Sequence, residues 1–77
     1  MNWNLEGKTI TGLYMGLFPF KGIVTLSRVK YGKEGTVCHT VDIDEEIYVF
    51  GAVRSTITVE MNNVSRIIPE SELNGSI

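Results

Sequence analysis

A chain of 77 residues, 43% apolar and 21% charged, has material for one hydrophobic core and not for two. Its formal net charge of −2 excludes an avid non-specific DNA binder, because such proteins gain affinity by neutralising phosphates with surplus lysine and arginine. One cysteine, Cys38, and one histidine, His39, exclude an internal disulfide and the zinc clusters built from cysteine and histidine, and no cofactor is expected.

A core this small is marginally stable unless reinforced, and with disulfide and zinc gone the remaining reinforcement is self-association, so a homo-oligomer is an expectation of size alone. The lone thiol, the polar Met1–Lys8 stretch and the lack of an apolar run of membrane-spanning length predict a cytoplasmic protein with no membrane partner. Charge is unevenly placed. Met1–Val41 carries Lys8, Lys21, Arg28, Lys30 and Lys33 against Glu6 and Glu34, whereas from Asp42 onward only Arg54 and Arg66 oppose seven carboxylates.

In chain order, residues 1–7 read as a lead, 8–68 as the domain and 69–77 as a turn with a loose tail. Valine, isoleucine, threonine and tyrosine alternate through the middle of the chain, and no stretch keeps helical spacing beyond two turns, so strands are predicted. The first runs from Lys8 to Leu17, with Gly12 and Gly16 marking a bend or bulge. Phe18-Pro19-Phe20 reads as a connection, since proline gives no hydrogen bond to a ladder. Lys21–Tyr31 and Thr36–Ile43 form a hairpin around Gly32-Lys33-Glu34-Gly35. Closing it with Tyr31 against Thr36 pairs Val24 with Ile43, Leu26 with Val41, Arg28 with His39 and Lys30 with Val37 on one face. Asp42–Glu46 reads as an acidic turn. Ile47–Phe50 and Ser55–Glu60 form a second hairpin, Met61–Val64 makes one turn, Ser65–Ile68 is a last strand, and Pro69 opens a helical turn ending at Leu73.

The order Ile57-Thr58-Val59, one turn, then Val64-Ser65-Arg66-Ile67 resembles the fourth strand, 3₁₀ turn and fifth strand of SH3-like barrels. With the bent first strand and the long hairpin, the resemblance covers Lys8–Ile68 and implies an all-β fold, a small five-stranded antiparallel SH3-like barrel. The proline-peptide-binding members carry a tryptophan on the barrel face, whereas Trp3 here precedes the barrel. A very short acidic domain starting at Met1 also looks like the small accessory proteins of tailed bacteriophages, which implies an inhibitor of a host factor.

Candidate chemistry is sparse. Gly7-Lys8-Thr9 matches the end of a phosphate-binding loop, but Asn2 stands where its first glycine belongs and a strand follows in place of a helix. Asp42, Asp44, Glu45 and Glu46 lack the central glycine of a calcium loop. Cys38 and His39, adjacent on a strand, point to opposite faces and make no thiolate–imidazole pair, so no enzymatic activity is expected. Two surfaces stand out. Lys21, Arg28, Lys30, Lys33 and His39, with Tyr31, form a basic, aromatic-flanked group suited to a nucleotide or oligonucleotide. Leu17, Phe18 and Phe20 around Pro19 form an apolar group suited to capping the core or to contacting a protein. The leading expectation is a protein-interaction module; the alternative is a nucleotide binder, including an oligomer that sequesters a nucleotide signal.

Overall fold

A computed structural model describes residues 3–30 and 36–73. The chain forms five strands, β1 (Thr9–Tyr14), β2 (Phe18–Lys30), β3 (Thr36–Val49), β4 (Ala52–Glu60) and β5 (Val64–Ile68). A 3₁₀ turn at Met61–Asn63 joins β4 to β5, and one helical turn, α1 (Glu70–Leu73), follows Pro69. All neighbouring strands are antiparallel, in the order β4-β3-β2-β1-β5.

The all-β, five-stranded antiparallel expectation is met, but the closed barrel is corrected. β4 and β5 are the two edges of the sheet, with no ladder between them. The edges of a flat five-stranded sheet lie about 19 Å apart. Only Met61–Asn63 separates Glu60 from Val64, and so short a span reaches at most about 14 Å. The sheet must therefore curl at this end, and it does so over β1. A Cβ on Gly12 would stand 2.0 Å from the Asn63 carbonyl oxygen. Gly12 is also where the β1–β5 register shifts, pairing Thr11 with Arg66 but Gly12 with Val64, so the bulge expected at this glycine is present.

The curled inner face carries the core: Leu5, Ile10, Phe20, Val24, Val41, Ile43, Ile57 and Val59. Leu5 comes from the lead, which folds back through a turn in which Lys8 N–H donates to the Leu5 carbonyl and Gly7 takes a positive φ of 83°. Gly7 N–H then donates to Val24 C=O, and Val24 N–H to Lys8 C=O, stitching the lead to β2. Thr9 opens a strand here and not a helix, so Gly7-Lys8-Thr9 lacks the context of a phosphate loop.

Two sequence expectations change with the register. Lys30 pairs with Thr36, Arg28 with Cys38 and Ser27 with His39, one place from the expected alignment. Beyond a bulge at Thr25, Val24 pairs with Val41 and Gly22 with Ile43, two places from it. A one-residue slip exchanges faces, so His39 turns inward beside Ser27 and away from Arg28. Asp42–Glu46 is also not a turn. β3 runs through it, and the chain absorbs these residues as a large irregularity against Ser55, between the pairs Asp42–Thr56 and Ile47–Arg54.

Candidate functional site

Both tight hairpin turns lie at the same end of the sheet, because β1 and β3 run in the same direction. The first turn spans Met15–Leu17, with φ of 56° at Met15 and 72° at Gly16, and Leu17 N–H donates to Tyr14 C=O. The second joins Val49 to Ala52 through Phe50 and Gly51, with φ of 52° and 75°. Below these turns β2 and β3 are not zipped together. Their last pair is Gly22–Ile43, and above it Phe18–Lys21 pair only with β1, while Ile47–Val49 pair only with β4. The sheet thus forks into two ribbons, each projecting roughly 17–20 Å. Pro19, Phe20, Lys21, Asp44 and Glu45 line the crotch, a cleft of ≈ 520 Å³.

The ends of the prongs are apolar and wet. Leu17 is 71% exposed and Met15 47% on one; Phe50 is 83%, Tyr48 70% and Val53 58% exposed on the other. Solubility and turn geometry would both be served better by Asn-Gly, the pair that most readily takes two positive φ angles. A side chain held left-handed costs about 1–2 kcal/mol relative to the right-handed form.

The apolar group proposed from sequence is divided by this geometry. Leu17 sits in the turn, Phe18 is half-buried at the start of β2, and Phe20 is a core residue at 7% exposure. The basic group is dispersed as well. Lys21 lines the cleft, whereas Arg28, seven residues along β2, is about 20 Å away. Lys30 ends β2; Tyr31 and Lys33 lie outside the described residues. His39 is wholly buried, which corrects its expected place on a ligand-facing surface: the strands pair Lys30 with Thr36 where Tyr31 was expected, and this one-place shift moves the His39 partner from Arg28 to Ser27. Among the described residues no group of three or more potential metal ligands converges, and no helix is long and apolar enough to cross a membrane.

Sequence reasoning missed a buried polar network. Ser27 Oγ lies 2.7 Å from His39 Nδ1 and accepts the Leu5 N–H at 3.0 Å, while Ser27 N–H donates to Glu6 Oε2 at 2.8 Å. A serine, a histidine and a carboxylate in sequence resemble nucleophile chemistry only superficially. The carboxylate holds the serine backbone and does not orient the imidazole, and serine and histidine are buried at 6% and 0% exposure. The network instead anchors the lead to β2 beyond the reach of β1. The spacing gave no hint of it, because Ser27 and His39 meet only when Lys30, and not Tyr31, pairs with Thr36.

His39 Nε2 is buried, with no hydrogen-bond partner among the described residues. Desolvation disfavours the imidazolium, lowering the His39 pKa from its ordinary 6.5. The unfolded chain therefore takes up a proton below about pH 6.5 that the folded chain refuses, and stability falls with pH until the lowered folded-state value is passed. The slope is at most about 1.4 kcal/mol per pH unit. Urea midpoints compared at pH 7.5 and 5.5 should drop for the wild type and stay level for His39→Leu. This is the only histidine, so an unchanged wild-type midpoint would contradict its burial in neutral form.

A second groove, of ≈ 550 Å³, lies on the outer face between β2, β5 and α1, lined in part by Ile23, Ile68 and Leu73. An Arg66–Glu72 ion pair ties α1 to β5. Comparison with known protein families, with curated proteins and with solved structures finds no match to this chain.

Proposed function

We propose that the chain is a protein-interaction module that docks through its forked end. The carrying observation is the placement of five exposed apolar side chains on two neighbouring hairpin tips, two of them, Met15 and Phe50, in left-handed backbone. Strain and exposed apolar surface each cost stability, and their coincidence at one end is the pattern of a contact surface. The strand order and the 3₁₀ turn before β5 support an SH3-like arrangement opened at one end, with the opening supplying the surface. The basic hairpin is a weaker basis for nucleotide binding, because Lys21 and Arg28 stand far apart and His39 is withdrawn into the core.

A photo-crosslinking amino acid tests this in the cell of origin. Placed at Leu17 or Phe50, it should give one discrete crosslinked protein, identifiable by mass spectrometry; placed at Glu60, at the opposite end of β4, it should give none. Equal crosslinking from all three positions would refute the docking role.

A further inference from the structure

We infer that the fork receives an extended, lysine- or arginine-rich segment of a partner protein, added as a strand along the open edge of β3 between Asp44 and Val49; this rests on the docking role of the forked end. Above Gly22–Ile43, β2 pairs only with β1, and β3, past its irregularity at Ile43–Glu46, pairs only with β4 through Ile47–Val49, so the backbone edge of each prong toward the other is unpaired. Backbone N–H and C=O groups on an unpaired edge are a template for another strand.

The two walls are not equivalent. On the β2 wall Pro19 has no N–H to give, and proline is a device that blunts an edge. The β3 wall carries no proline and no lysine from Asp44 to Val49, so it is the wall that can pair.

Charge selects the occupant. Asp44, Glu45 and Glu46 are all exposed, and among the described residues none has an ion-pair partner. Lys21 alone faces them across the cleft, leaving the site negative. The β3 edge of a second copy would bring carboxylates against carboxylates, which disfavours self-pairing there, whereas a basic strand meets opposite charge at successive positions. Pro19 and Phe20 add apolar surface to the lining of the cleft.

The probe is a capped octapeptide of alternating lysine and valine, titrated into the full chain labelled for NMR. Saturable binding is expected, with shifts and slowed amide exchange confined to Asp44–Val49 and Lys21. N-methylation of alternate peptide nitrogens keeps the charge but removes donors, and should weaken binding tenfold or more. Glu45→Gln with Glu46→Gln, both exposed, should weaken it several-fold and flatten its salt dependence, and a glutamate–valine octapeptide should not bind. Undiminished binding of the N-methylated peptide, shifts centred on β4 or the outer groove, or dimerisation through β3 would each overturn strand addition. No octapeptide binding, with tip crosslinks intact, refutes strand addition alone; loss of the tip crosslinks removes both readings.

Discussion

Gly22→Ala is expected to abolish the fold. A Cβ there would stand 2.2 Å from the Asp42 carbonyl oxygen, 2.8 Å from its carbon and 2.7 Å from Ile43 Cα. All three are backbone atoms of the adjoining strand at the last rung before the fork, so no side chain can swing aside. A chain of this size has about 4–12 kcal/mol of stability in all. A clash that displaces a central strand belongs with the exceptional losses, above about 4 kcal/mol. Gly12→Ala should be similarly damaging, since its Cβ meets the Asn63 carbonyl where the sheet curls. Gly51→Ala provides the contrast. No atom lies within 4 Å of its Cβ, and only the φ of 75° resists the change, at about 1–2 kcal/mol. Circular dichroism with urea titration separates these outcomes. A Gly22→Ala protein that folds with under 1 kcal/mol lost would show that β2 and β3 do not approach this closely.

Phe20→Ala should cost about 3–5 kcal/mol, the range for deleting a buried aromatic ring. The ring lies over Gly12, with Phe20 Cε2 3.1 Å from where that Cβ would be. Leu17→Ser, three residues away and 71% exposed, should change stability by no more than about 0.5 kcal/mol. Two members of one apolar stretch thus separate into a buried folding residue and an exposed one on which the fold does not depend. Equal effects on the urea midpoint would contradict the inward turn at Phe20.

That separation shows where the sequence was legible. Alternation identified the strands because each has one inner face, as in Ile57 and Val59 between exposed Thr56, Thr58 and Glu60. Gly12 advertised its bulge, since glycine weakens a strand unless a close approach requires it. Thr25 did not advertise its own, because a β-branched residue is what an ordinary strand position would carry. The Ser27–His39 contact was hidden by a different one-place shift, the pairing of Lys30 in place of Tyr31 with Thr36, and the unmarked bulge added a second place from Val24 onward. The acidic run Asp42–Glu46 read as a turn because charge is rare in a buried strand, but Asp44, Glu45 and Glu46 stay exposed where β3 loses its register with β4. The fork itself left no pattern, being a stretch over which two predicted strands fail to pair. Leu17 was legible as an exposed apolar residue; the grouping of Met15, Tyr48, Phe50 and Val53 at the same end was not, since nothing in the sequence says that two turns share an end.

The most direct measurement is a paired one on Phe50→Asn. Asparagine accepts left-handed backbone, so the turn should relax and the urea midpoint should rise by an amount equivalent to about 0.5–1 kcal/mol. Affinity for the protein crosslinked through the tip should meanwhile fall at least tenfold. A stabilised variant that binds as tightly as the wild type would show that the strained, exposed aromatic side chain has no part in docking.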